Sequence, residues 1–255
     1  MRYNGKKTES PPSATRLPES SQAFYNGAWE QWDSMIRHSP APRIRRNKIV
    51  SWLSVLSPKT VLDVGCGNGE FLLDVHQSMP DVKLTGADIS SAIIDSNRIR
   101  TSAAEFFKVD LNAENPPGRY DAVVCMEVIE HCADYKAALQ RLAAMTEKWL
   151  IVTVPCGPVF EIDRRVGHIR HFKPKEIAEV LAKEGLHVVK LESWGFPFYN
   201  LYKHLINLWP DKICESFLSE RKYGFVQKVI AYVAYAAFNL CLPKWGYQLF
   251  VIAAR

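Results

Sequence analysis

The chain is 255 residues long and 47% hydrophobic, enough for one α/β domain with an elaboration and too apolar to be disordered over most of its length. Its 32 lysines and arginines against 27 acids leave a formal charge of +5, milder and less focused than a nucleic-acid binder carries. Six cysteines (Cys66, Cys125, Cys132, Cys156, Cys214, Cys241) are scattered with no CxxC pair, which indicates neither a zinc knuckle nor a disulfide framework and puts no metal site in view.

Residues 1–20, MRYNGKKTESPPSATRLPES, hold too few apolar groups and too much proline and serine to offset the cost of ordering, and are expected to be a disordered tail. No apolar run follows their basic residues as a secretory signal requires, so the expectation is a cytoplasmic chain. Residues 21–58 include AFYNGAWEQWDSMIRHSPAPRIRRNKIVSWL, amphipathic and aromatic, and are expected to form a helical cap. Its basic cluster, Arg43, Arg45, Arg46 and Lys48, reads mostly as a solvated helix face, although one arginine there could meet a carboxylate or another anion through a bidentate guanidinium.

From residue 59 onward, strand-like apolar runs alternate with helical patterns, the mark of a parallel sheet covered on both faces. TVLDVGC, KLTGADI, EFFKVDL, YDAVVCM and WLIVTVP are the first five strands in turn. Between them FLLDVHQSM, SAIIDSNRI and YKAALQRLAAM repeat their apolar residues at three- and four-residue spacing, as packed helices do. LHVVKLES and YQLFVIAA are the last two strands. Residues 59–194 and 246–255 thus form the main domain, and residues 195–245, too long for a hairpin turn, form a mainly helical insertion. Fifteen of the eighteen residues from Phe225 to Leu242 are apolar, at the short edge of membrane-spanning length, with Lys228 among them. One reading is a buried lid helix; the other is a greasy surface that accepts a lipid-linked or aromatic acceptor, or makes a peripheral membrane contact. Six aromatics from Trp194 to Trp209 suit a stacked sugar or flat ring, and suit a core equally.

The densest local signal is VLDVGCGNGE, residues 61–70, where Gly65, Gly67 and Gly69 follow an apolar run containing Asp63. Glycine costs entropy in regular structure, so three in five positions need a backbone reason. The pattern is not the dinucleotide GxGxxG, because Glu70 follows, and no GK[ST] presents a lysine to phosphate. What remains is a tight strand-to-helix turn at the carboxyl end of the first strand, where open α/β sheets bind ligands. Asp88 ends the second strand, placed to accept hydrogen bonds from both hydroxyls of a ribose, and Asp110 ends the third. Each acid alone reads as a cap or turn residue. Together with the turn they suit a nucleoside ligand that carries positive charge better than one that carries phosphates.

VLDVGCGNGE, GADIS, FKVDLN and YDAVVCMEVIEHC resemble the successive motifs of the class I S-adenosylmethionine-dependent methyltransferases, over about Thr60 to Pro174. The resemblance implies a Rossmann-like doubly wound α/β sheet of seven strands, order 3-2-1-4-5-7-6, with the last strand antiparallel. It implies S-adenosyl-L-methionine as cofactor and S-adenosyl-L-homocysteine as product. Carried over by position, Gly65, Cys66, Gly67 and Gly69 would let the backbone lie against the amino-acid end of the cofactor, and Asp63 would organise that end. Asp88 would hold the ribose with Ile89 against the adenine, Asp110 would receive the adenine amino group with Leu111 beside it, and Met126 and Glu127 would flank the methionine arm. In the family such amino-terminal helices cover the cofactor, and Tyr25, Trp29 or Trp32 could close over it.

Methyl transfer from a sulfonium chiefly needs the acceptor held in line, and a base when that acceptor is a hydroxyl. The candidates are His131 in EVIEHC and His168 and His171 in GHIRHFKP, a segment similar to one in small-molecule and glycan-pathway members. His168 is the preferred base, on the expectation of a near-neutral pKa, whereas His131 and His171 read better as structural. Cys156 in VPCGP sits where RNA cytosine methyltransferases place a nucleophile, but fits an ordinary turn. No Pro-Pro-aromatic run follows the fourth strand as in nucleobase amino-methylating enzymes. The expected activity is therefore methyl transfer to a small-molecule or glycan/lipid-like acceptor at oxygen. Its rivals are nitrogen methylation, RNA methylation, and a catalytically silent cofactor-binding partner protein.

Overall fold

The computed structural model describes residues 36–211, 213 and 224–255. The tail expected over 1–20, and Tyr25, Trp29 and Trp32 of the expected cap, lie outside the described residues.

Seven strands form one sheet: β1 (Thr60–Val64), β2 (Lys83–Asp88), β3 (Ala104–Lys108), β4 (Tyr120–Met126), β5 (Thr146–Pro155), β6 (His187–Trp194) and β7 (Gln248–Ala254). Their order is β3-β2-β1-β4-β5-β7-β6, as the resemblance implied. The first five pair in parallel, while β7 runs antiparallel to both β5 and β6. The central strands are apolar on successive residues because helices cover both faces; β4 is buried from Tyr120 to Cys125. The edge strand β6 is only half buried.

Helix α1 (Pro40–Leu56) opens on a proline, whose missing N–H would have no partner in a first turn anyway. It turns Ile44, Ile49 and Leu53 inward. With α2 (Glu70–Ser78) and α3 (Ser91–Arg100) it covers one face of the sheet, where Ile49, Leu53, Phe71, Leu72 and Ile94 pack on Val61, Val124 and Ile151. Opposite, α4 (Tyr135–Met145) and α6 (Pro174–Lys183) place Leu139, Leu142, Ile177 and Leu181 on Leu62, Val123 and Val152. The side chain of Ser90 caps α3 and that of Asp134 caps α4, each accepting first-turn amide hydrogens. A short helix, α5 (Glu161–Arg165), follows β5.

Between β6 and β7 lie α7 (Phe198–Ile206) and α8 (Phe225–Asn239), which agree with a helical insertion between the last two strands. Trp194, Tyr199, Phe238 and Phe250 form a third cluster beneath them with Ile44 of α1. Of the six aromatics from Trp194 to Trp209, Trp194, Tyr199 and Tyr202 therefore serve as packing, while Phe196, Phe198 and Trp209 stay exposed. No helix among the described residues is long and apolar enough to cross a membrane.

Candidate active site and cofactor cleft

A cleft of about 390 Å³ opens at the carboxyl ends of β1, β2, β3 and β4, within the range of small-molecule sites. Asp63, Gly65, Cys66, Gly67, Asp88, Ile89, Asp110, Leu111, Met126 and Glu127 all line it, with His131 and His168. Two expected residues do not. Gly69 caps α2 in a left-handed conformation, φ 74°, and His171 lies behind His168 with its side chain 3% exposed.

The glycine turn is fastened from several sides. Gly65 and Cys66 donate to the Ala87 carbonyl at 2.7 and 3.0 Å, and the Gly67 amide donates to Asp88 Oδ2 at 3.0 Å. Asn97 of α3 donates to the Gly67 carbonyl at 2.7 Å. Gly65 has φ 77°, and a Cβ there would stand 2.2 Å from Val128 Cγ2. A side chain at Gly65 would meet Val128, so the absence of one there serves packing as well, while the Gly65 backbone lines the cleft.

Asp63 is wholly buried and neither carboxylate oxygen has a hydrogen-bond partner among the described residues. Burial, and then the nearby Asp88 charge, push its pKa up to about 8. An orphaned acid facing a cleft is the complement of a cationic ligand group. Asp88 is also buried, and burial raises its pKa although the amides of Ser90 and Gly67 donate to it, Ser90 at 2.9 Å. Asp110 is half exposed and accepts from the Asn112 amide at 2.9 Å.

Glu127 sits just past β4 with φ 55°, a strained conformation for a non-glycine. Neighbouring strands hold it: its amide donates to Thr153 O at 3.0 Å, and its carboxylate accepts from Thr153 Oγ1 at 2.9 Å and Gln248 Nε2 at 2.7 Å. Arg45 approaches the same carboxylate at 3.6 Å and donates to Gln248 Oε1 at 3.2 Å. The basic cluster of α1 thus divides. Arg43 lies over the rings of Tyr232 and Tyr235, Lys48 pairs with Glu192 at 2.7 Å, and Arg45 and Arg46 both line the cleft, Arg46 paired with Asp74 at 2.7 Å and Arg45 beside Glu127.

At the cleft's rim the histidines form a connected group. His131 Nδ1 meets the Gly167 carbonyl at 3.0 Å, which puts the proton on Nδ1 and leaves Nε2 as the acceptor nitrogen. His168 Nδ1 lies 3.3 Å from His171 Nε2, and that nitrogen lies 3.4 Å from Asp163 Oδ2. Burial first, then the neighbouring His131, Lys203 and His171, push the His168 imidazole down to about 2, so the near-neutral pKa expected of it is corrected. His168 is neutral at physiological pH and its lone pair is a poor proton acceptor. Burial likewise lowers His131 and His171.

Sequence reasoning missed Glu130. It is wholly buried, neither carboxylate oxygen has a hydrogen-bond partner among the described residues, and burial raises its pKa far above the usual carboxylate range. One donor atom each from Glu130, His131 and His168 lies within 4.8 Å of the others, as a divalent cation would need, and the same holds for Asp163, His168 and His171. Asp163 is already engaged by Lys203 and by the Phe160 amide, so the Glu130 set is the one whose carboxyl has no hydrogen-bond partner among the described residues. Glu130 directly precedes His131 in EVIEHC, but burial is not visible in a string. Cys156 is accounted for otherwise: its Sγ lies 3.1 Å from the Gly246 carbonyl, and burial pushes its pKa up to about 12, which leaves it a thiol at neutral pH.

A family model described as a methyltransferase domain matches residues 41–191, more than half of the chain. The chain belongs to this methyltransferase family. It is a class I S-adenosylmethionine-dependent methyltransferase, and the sheet order agrees. The methyltransferase is 29% identical over 195 residues to the ubiquinone biosynthesis O-methyltransferase of Nitrosomonas europaea, a match spanning 66% of this chain and 82% of that protein. It is 28% identical over 152 residues to the protein of the same name from Paraburkholderia xenovorans, spanning 56% of this chain and 61% of that one. Among solved structures, magnesium protoporphyrin IX methyltransferase from Synechocystis PCC 6803 with bound SAH shares the fold, with a TM-score of 0.61 at 16% identity over 92% of this chain and 97% of that one. S-adenosylmethionine is the methyltransferase's cofactor, and the orphaned Asp63 fits the ammonium of its methionine end. When bound, it supplies an electrophilic methyl on a sulfonium.

Proposed function

We propose that this methyltransferase methylates a hydroxyl of a small hydroxylated acceptor, and that Glu130, His131 and His168 activate that hydroxyl together with a divalent cation. The single observation that carries the reading is Glu130, a fully buried carboxylate with no hydrogen-bond partner, within ligand spacing of two imidazoles at the cleft's rim. Burial makes the charged form of such a carboxyl costly unless it is paired or ligates a metal. Two imidazoles and one carboxylate are a familiar donor set for such an ion and leave positions open for an acceptor oxygen.

His168 contributes as a neutral donor, since a group with so low a pKa is poorly suited to hold a proton. His171 and Asp163 orient it from behind, as second ligands of this type commonly require. The cation would lower the pKa of the acceptor hydroxyl and so reduce the need for a strong base. Asp63, Asp88 and Asp110 hold the cofactor along the strand ends, and Arg45 with Glu127 bounds its methionine end. The relatives' names, which specify O-methylation in ubiquinone biosynthesis, support a small acceptor oxygen over a glycan.

The test is elemental analysis of the purified protein together with turnover on a panel of hydroxylated aromatic acceptors. About one divalent ion per chain should be bound, and Glu130→Gln should lose it and lower turnover about a hundredfold or more while S-adenosylhomocysteine affinity stays within about twofold, because removing Glu130 removes an anionic ligand but no cofactor contact. A metal-free protein that turns over at full rate, or a Glu130→Gln variant that does, would refute the assignment. Equal turnover on amine acceptors by that variant would favour nitrogen methylation.

A further inference from the structure

The outward face of α8 is apolar where a surface helix is normally polar. Its inner side is already satisfied: Ala231 and Phe238 are buried, Asn47 of α1 donates to the Tyr235 hydroxyl at 2.8 Å, and the Arg43 guanidinium lies 4.2 Å from the Tyr235 ring centre. On the other side, Val226, Val229, Ile230, Val233 and Leu240 recur at three-, four- and seven-residue spacing and form a second apolar stripe. Val226, Ile230 and Val233 are 65%, 62% and 66% exposed. Side chains left this bare on one contiguous strip mark a contact surface.

We propose that this stripe seats the protein on an anionic bilayer surface, with α8 lying parallel to it. At fifteen residues the helix is about 22 Å long, too short to cross hydrocarbon but suited to the interface. Charge decides between a bilayer and a second copy of the chain. From Gly224 to Gly246 there are two lysines, Lys228 and Lys244, and no acid. Neither lysine belongs to the stripe itself, but a second copy would bring the same two cations and no acid from this stretch to the shared face. A bilayer of anionic headgroups neutralises both, and lysine stems can lie along the apolar layer while their ammonium groups reach the phosphates. Both lysines are exposed, as is Trp245, a residue type favoured at membrane interfaces. The proposal is independent of the methyl-transfer chemistry.

The experiment is co-sedimentation of the full chain with vesicles of phosphatidylcholine containing phosphatidylglycerol, against vesicles of phosphatidylcholine alone. The wild type should partition to the mixed vesicles, about tenfold more weakly to the neutral ones, and lose a similar factor as salt is raised. The combined variant Val229→Asp, Ile230→Asp, Val233→Asp should lose about tenfold or more in partition to mixed vesicles while binding S-adenosylhomocysteine as the wild type does. Sedimentation equilibrium without lipid should show the same mass for both. No partition by the wild type overturns the proposal, as does equal partition by the variant. A wild-type dimer that the variant dissociates, or a variant that loses thermal stability and cofactor binding together, would assign the stripe to self-association or internal packing and overturn it as well.

Discussion

Asp63 should make cofactor binding pH-dependent in a direction that can be worked from its surroundings. In the ligand-free protein it is wholly buried, has no hydrogen-bond partner and titrates at about 8. At pH 6 it is therefore about 99% protonated, and at pH 8 about half, a fiftyfold rise in the carboxylate form on the order of the linkage relation. The cofactor's α-amino group, near pH 7.8, loses about 60% of its charge over the same range, so the competent pair, carboxylate with ammonium, rises about twenty-fold. S-adenosylmethionine affinity should climb by about that factor from pH 6 to pH 8, with close to one proton released on binding at pH 6.5. Calorimetry in buffers of different ionisation enthalpy reads both. Asp63→Asn should flatten the rise and abolish the proton release. A wild type whose affinity is flat or falls over this range, with no proton released, would refute the reasoning. The same shift has a stability signature. Unfolded aspartate titrates near pH 3.9, so the folded chain holds an extra proton between about pH 4 and 8. Its stabilising effect is full below pH 4 and is lost progressively as pH rises toward 8, and the ligand-free Asn variant should lack that decline.

Two further outcomes follow from the same turn. Asp88→Asn should weaken cofactor binding about a hundredfold and leave one of the two amides at Gly67 and Ser90 without an acceptor, whereas Asp88→Ala leaves both and should destabilise the chain further, by about 1–3 kcal/mol per amide left unpaired. Titration calorimetry with denaturant melts separates the two, and an Ala variant as stable as Asn would contradict the hydrogen-bond assignment. Gly65→Ala should cost about 2–4 kcal/mol, from its positive φ and from overlap with Val128. Adding Val128→Ala should recover only the overlap part, and full recovery would show that the backbone conformation carries no cost.

Much of this protein was legible as a string because its signals are local. Apolar runs of strand length, helical spacing between them and glycines at the first strand's end are set by backbone geometry, and all seven strands fall where those runs predict. The three acids at the ends of the first three strands were also legible, since sheet topology brings consecutive strand ends to one cleft. Only tertiary structure decided what depends on distance and burial. It placed Gly69 in a helix cap and Gly65 against Val128, lowered His168 below any useful basicity by enclosing it, and brought Arg45 to Glu127 while Arg46 pairs with Asp74. It also made Glu130, one letter before a histidine already noted, into a buried carboxyl without a hydrogen-bond partner among the described residues. A residue type can be read along the chain, but its desolvation and its partners are supplied by segments far away in sequence, and those set what the side chain can do.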